Sequence, residues 1–193
     1  MPFPPYPGSV ARRRGQRGQS LVEFALSSVV ILLLVGGVAD IGRSVYVSEA
    51  LSNAAREGAR HGVWFNAPAL SHPYLDDAQI KSAVDANLAA DSIPASALQN
   101  PGKTCPSTTD GNTVHNPPYV SSAYPGTAGQ AWLYICYNNT PGLDFTSPAT
   151  NQSQLDLNVI VLYTYSPFTP LISKQFGIFH LAANVHMTVQ GTG

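Results

Sequence analysis

The chain has 193 residues, 44% hydrophobic and 11% charged, which is enough apolar material for one domain of ordinary size and an anchor. This composition excludes disorder along the whole length. The formal net charge of −1 conceals an asymmetry: Arg12, Arg13, Arg14 and Arg17 stand in the first 17 residues without an acidic residue among them, leaving the remainder at −5. A basic segment ahead of an apolar run marks chain held on the cytoplasmic side of a membrane, with the downstream part translocated. No basic face or interleaved aromatic set extends the Arg cluster, so nucleic acid is not an expected partner.

Residues 1–18, with Pro2, Pro4, Pro5 and Pro7, read as a cytoplasmic basic leader without a packed element. The run from Phe24 to Ala39 is 16 residues of apolar helix, about 24 Å long. With its flanks it reaches spanning length as a transmembrane segment over about residues 21–42, placing Glu23 and Asp40 near the two interfaces. A cleavable secretory signal ending at the small residues Gly37 and Ala39 is the alternative. The carboxylate at Glu23 and the helical pattern beyond Asp40 count against it.

No proline interrupts the chain from Gln19 to Pro68, which predicts a long helix over 19–62. Ile41, Val45, Ser48, Ser52, Ala55, Ala59 and Gly62 recur at spacings of three and four as one face, with Arg43, Glu49, Asn53, Arg56, Glu57 and Arg60 opposite. The rest, 63–193, reads as an extracytoplasmic domain. A second helix is expected from Leu75 to Ala90, where Asp76 and Asp77 suit the positive end of the dipole and Ile80, Val84 and Leu88 repeat every four. Residues 92–130, rich in Pro, Gly and Ser, read as a long surface loop.

Strand signals dominate the last third, over Ala131–Tyr137, Leu155–Tyr165 and Ile178–Val189. Leu155, Leu157, Val159, Val161 and Tyr163 alternate onto one face, with Asp156, Asn158 and Ile160 on the other. Pro167, Phe168, Pro170, Leu171 and Ile172 form a broken apolar connection near the membrane surface. The expected fold is α+β: a long N-terminal transmembrane helix continuing into a small domain with a second helix and a C-terminal antiparallel sheet of about three strands.

Two cysteines, Cys105 and Cys136, in a translocated domain suggest a disulfide, which would contribute roughly 3–4 kcal/mol by constraining the unfolded chain; two unpaired thiols are the alternative. His61, His72, His115, His180 and His186 make no metal constellation, no nucleophile elbow or phosphate loop occurs, and neither cofactor nor catalytic set is expected. The chain does not read as an enzyme.

Two segments carry a family likeness: Arg17-Gly18-Gln19-Ser20-Leu21-Val22-Glu23-Phe24-Ala25-Leu26 with the apolar run after it, and Ala50-Leu51-Ser52-Asn53-Ala54-Ala55-Arg56-Glu57-Gly58-Ala59-Arg60. Together they resemble the TadE-like family of the tight-adherence (Tad/Flp) pilus. The resemblance implies a minor pseudopilin or assembly factor in the bacterial inner membrane, N-terminus cytoplasmic. Its implied partners are a prepilin peptidase, other pilin subunits and the Tad assembly machinery, and its role is in pilus biogenesis and surface adherence. It further implies cleavage between Gly18 and Gln19, with Glu23 as an assembly carboxylate and Phe24 as its aromatic neighbour. The freed amine, with a pKa near 8, offers Glu23 a partner on the same or a neighbouring subunit; the alternative is a carboxylate that snorkels and stabilises the helix start. Arg56, Glu57 and Arg60 are candidate contacts to other subunits or a solvated face. A membrane-tethered adhesin that never enters a fibre is the competing function.

Overall fold

A proline-free run of helix-compatible residues forms one uninterrupted helix, α1, over Gln16–Gly62, 47 residues and about 70 Å long. Arg60 and His61 occupy its last turn, where cations complement the helix dipole. The computed structural model describes residues 16–96, 98–100, 104–106, 119–138, 140–142, 149–150 and 155–189. The leader through residue 15, with Arg12, Arg13 and Arg14, and residues 107–118 of the expected loop lie outside them.

The distal half of α1 is the spine of the domain. Its buried stripe is Val47, Ala50, Leu51, Ala54, Ala55, Gly58, Ala59 and Gly62. Ala55, Ala59 and Gly62 belong to the face expected from the sequence, whereas Ile41 and Val45 are exposed and Ser48 and Ser52 only half-buried. The shift has a simple cause: α1 packs against a second helix and against the sheet, so two neighbours draw a broader stripe than one period-of-four row describes.

The second helix, α2, spans Asp77–Ala90. Asp76 caps it, accepting the Gln79 N–H at 2.6 Å, and Ile80, Val84 and Leu88 are buried against α1. Glycine on α1 sets how close the helices come. A Cβ at Gly58 would lie 2.4 Å from Val84 Cγ2, and one at Gly62 would lie 2.8 Å from both Ile80 Cδ1 and Leu157 Cδ2. These approaches are available only to a residue without a side chain.

Preceding α2 is a two-residue strand β1, Ser71–His72. After it come β2 (Leu98–Gln99), β3 (Ala131–Tyr137), β4 (Thr140–Pro141), β5 (Ala149–Thr150), β6 (Leu155–Tyr165), a short helix α3 (Pro170–Phe176) and β7 (Phe179–Val189). The main sheet runs β2-β3-β6-β7, with β4 paired on β3; β1 and β5 form a separate pair. The three long strands expected from their β-branched and aromatic runs are the body of this antiparallel sheet, with Ala131 opposite Tyr163 and Leu155 opposite Val189. The expectation of about three strands omits the short β2 and β4. Strand β2 lies parallel to β3, and Asn100 staples it there: its backbone N–H donates to Leu133 O, its Oδ1 accepts from Ile135 N at 2.7 Å, and its Nδ2 donates to Asp77.

Leu157, Val159, Val161, Tyr163 and Tyr165 of β6 face α1, as alternation predicts. The other face is covered in its middle. Ile160 and Leu162 are fully buried there with Tyr134 and Cys136, beneath Tyr119, Ala123 and Tyr124. The last part of the expected surface loop is therefore a lid on the outer face of the sheet, tied down by Tyr134 Oη to Ala123 O and by Thr164 Oγ1 to Pro125 O. Cys105 and Cys136 are joined in a disulfide, with Cα atoms 6.1 Å apart, on this same face. In the middle of the sheet β3 and β6 are apolar on both faces, with Tyr134, Cys136, Ile160 and Leu162 on the outer one, the pattern of strands covered twice.

On β1, His72 is fully buried beside the Phe65 ring, centroids 5.0 Å apart. Burial lowers its pKa from the ordinary value, because a charged imidazolium is disfavoured away from water. Below the ordinary value of about 6.5 the unfolded chain binds a proton that the folded chain resists, so this residue withdraws stability as pH falls. Acidifying the full chain in detergent from about pH 7.5 to 5.5 is expected to lower its thermal midpoint, with a smaller drop for His72→Gln. Equal drops for both proteins would show that His72 is not the cause.

Candidate functional site

The N-terminal half of α1 lies bare. From Gly18 to Ala39 no residue is buried, and large apolar side chains are exposed on every side, Phe24 at 71%. The helix is long and apolar enough to cross a membrane. A helix apolar all round needs lipid or other apolar helices. Asp40 comes seventeen positions after Glu23, about 26 Å along the helix, close to the thickness of a bilayer's hydrocarbon core of about 30 Å. The two carboxylates thus bracket the apolar surface.

Glu23 is exposed, and its Oε1 accepts a hydrogen bond from Gln19 Nε2 at 3.0 Å, one turn earlier. A neutral amide is a weak match for a carboxylate on a greasy surface. Gly18 touches nothing that a Cβ would meet. It lies within the first described turn of the helix, where a glycine costs about 1 kcal/mol of helix propensity relative to alanine.

At the other end of the apolar surface, Asp40 is built into the domain. Its carboxylate accepts the backbone N–H of Phe168 at 2.7 Å and that of Thr169 at 3.0 Å, while its backbone carbonyl accepts the Tyr165 hydroxyl at 3.2 Å. Arg43 stands over the Tyr165 ring, 5.8 Å from its centroid. One turn back, Thr169 packs so closely on Gly36 that a Cβ there would lie 2.8 Å from Thr169 Oγ1, and Ile172 lies beside Gly37. The β6–α3 turn is thereby clamped to α1 across 128 residues of sequence. A mainly apolar groove of about 520 Å³ runs along this junction, lined by Gly37, Asp40, Ile41, Tyr165, Ile172 and Phe179.

The remaining candidates lie elsewhere. Arg56 and Arg60 are exposed with Glu57 half-buried between them, about 50 Å along α1 from Glu23. The Glu57–Arg60 pair, at 3.6 Å, is largely solvated and stabilises little. They continue a polar strip through Glu49, Ser52 and Asn53. Gly18, Gln19, Glu23 and Phe24 therefore form one group at the helix start, and Arg56, Glu57 and Arg60 another at its end. Cys105–Cys136 sits apart from both, on the outer face of the sheet. Among the described residues, no three His, Cys, Asp or Glu side chains come together to hold a metal. The junction is the feature that sequence reasoning understated. An acidic residue closing an apolar run three residues after Gly36-Gly37 is its only local signal; its partners lie at the far end of the chain.

Asp40→Ala leaves two backbone donors without their acceptor, at about 1–3 kcal/mol for a buried group. Amide hydrogen exchange at Phe168 and Thr169, in the full chain in detergent, is expected to accelerate by about tenfold or more. Asp40→Asn, which keeps one acceptor oxygen, is expected to fall between. Unchanged exchange in Asp40→Ala would mean that the carboxylate does not hold the turn.

Among known protein families, residues 18–60 match the family model described as TadE-like protein. No curated protein and no solved structure matches the chain. The matched segment begins at Gly18, includes Glu23, Asp40, Arg56 and Arg60, and ends just short of the close of α1. Through this segment of α1 the chain is similar to TadE-like proteins.

Proposed function

We propose that the chain is a minor pseudopilin or assembly factor of a Tad-type pilus, anchored in the bacterial inner membrane with its sheet domain outside. A prepilin peptidase cuts it between Gly18 and Gln19. The observation that carries this reading is a helix in which no residue from Gly18 to Ala39 is buried and which presents one carboxylate, Glu23, on an apolar surface. A passive tether needs no such carboxylate. An acidic residue at bilayer depth costs on the order of 2.5–3.5 kcal/mol by insertion scales, and a neighbouring cation offsets that cost. Cleavage supplies the cation as the new α-amino group of Gln19, mostly protonated at neutral pH.

In this reading α1 waits in the membrane until other pilin helices replace lipid around it. Glu23 of an incoming subunit then meets a free amine, its own or a neighbour's. Arg56, Glu57 and Arg60, on the solvated part of α1, are available for contacts between subunits outside the membrane. Glycine at position 18 eases the unwinding that a protease needs to reach the backbone within a helical turn.

The mature protein recovered from cells is expected to begin at Gln19, read by N-terminal sequencing. Glu23→Ala is expected to weaken subunit docking by roughly 100-fold, the equivalent of about 3 kcal/mol, and so to abolish piliation and surface adherence while the protein remains in the membrane. A mature N-terminus at Asp40 would mark a cleaved secretory signal and overturn the reading, whereas adherence untouched by Glu23→Ala would favour a tethered adhesin outside the fibre.

A further inference from the structure

The turn before α3 and α3 itself lie beside α1 at a depth set by Gly36, Gly37 and Asp40. Thr169 is held against Gly36, and Ile172 against Gly37. Both glycines are inside the apolar stretch that ends at Ala39. Gly36 is four residues before Asp40, about 6 Å closer to the middle of a spanned bilayer. The β6–α3–β7 corner therefore overlaps the outer end of the span by one helical turn.

The corner's exposed surface matches that depth. Phe168 is 82% exposed, the most exposed of the large hydrophobic side chains described, although its backbone is fixed by Asp40. Ile178 and Phe179, just beyond α3, are 49% and 41% exposed. Between Ser166 and Val189 there is no acidic residue, and the one lysine, Lys174, lies exposed on α3. Exposed aromatic and aliphatic side chains with a long basic side chain and no carboxylate suit the headgroup boundary, where the rings enter the acyl region and the ammonium reaches outward. An aromatic held this rigidly by its own backbone, yet left in water, contributes nothing to the fold.

We propose that this corner is a second membrane contact, in which Phe168, Ile178 and Phe179 enter the outer-leaflet interface beside α1 and seat the domain on the lipid surface. The proposal rests on α1 spanning the bilayer. The partner is the lipid, argued from the continuity of this surface with the apolar helix it is clamped to. With two points of attachment the sheet domain is held at one tilt, and the groove between α1 and the corner opens toward acyl chains rather than water.

The test uses the full chain reconstituted in vesicles of phosphatidylcholine and phosphatidylglycerol in equal parts. Single cysteines are introduced without reducing the Cys105–Cys136 disulfide and labelled with an environment-sensitive fluorophore. Phe168→Cys and Ile178→Cys report the corner, Val30→Cys the span, and Gln79→Cys the far end of the domain, which lies near Gly62 through Ile80 and about 30 Å beyond Asp40. The expected result is blue-shifted emission at Phe168 and Ile178, quenched by lipid spin-labelled near the glycerol end of the acyl chain, with Gln79 unquenched. Quenching at Val30 with none at Phe168 and Ile178 would overturn the second contact and leave the anchor standing. Absence of quenching at Val30 as well would overturn both. Blue-shifted corner labels that spin-labelled lipid does not quench, and that revert on dilution of protein in lipid, would assign the surface to another copy of the chain and overturn the proposal.

Discussion

Two backbone amides, Phe168 and Thr169, meet one carboxylate, Asp40, and the remaining architecture depends on that meeting. Without it the apolar half of α1 would be a rod joined to the domain only through its own continuation. With it, the corner of the sheet is fixed to α1 at the level where the apolar surface stops. The Tyr165 hydroxyl, bonded to the Asp40 carbonyl, adds a third link from the end of β6. A carboxylate that accepts two N–H groups is well satisfied even where water is scarce, which is the condition for placing it at the end of an apolar run.

From this junction the helix and the central strand run alongside each other with matched lengths. Asp40 meets Tyr165 at one end and Gly62 meets Leu157 at the other. Twenty-two residues of helix cover about 33 Å and eight of strand about 27 Å, so β6 lies along α1 with little offset. Small residues make the seam possible. Ala54, Ala55, Gly58, Ala59 and Gly62 give α1 a narrow profile on which α2 and the sheet both close, and no bulky side chain pushes either away. The helix that carries the family match is thus also the inner wall of the hydrophobic core.

Much of the fold could be read from local chemistry. The three long strands announce themselves by β-branched and aromatic runs, α2 by Asp76 and its period of four, and α1 by the absence of proline from Gln19 to Ala67. The features that escaped depend on partners far apart in sequence. Strand β2 is two residues long and exists because Asn100 bridges it to β3 and to Asp77. Tyr119 and Tyr124 look like loop residues until Ile160 and Leu162 are seen to need cover. The candidate site divides in the same way. Gly18, Gln19, Glu23 and Phe24 lie close together in the chain and carry their pattern with them, whereas Asp40 becomes informative only when the chain returns to it after more than a hundred residues.

Because α1 serves as both anchor and core, force applied to one is carried directly into the other. A pull along the helix axis does not peel contacts away one at a time. It loads the long seam of Leu51, Ala55 and Ala59 against β6 in shear, together with the Asp40 junction. Contacts arranged side by side along a direction of pull share the load, and all must yield together. The domain is therefore placed to resist withdrawal of its helix, and a subunit drawn out of a membrane by that helix would carry its sheet along intact.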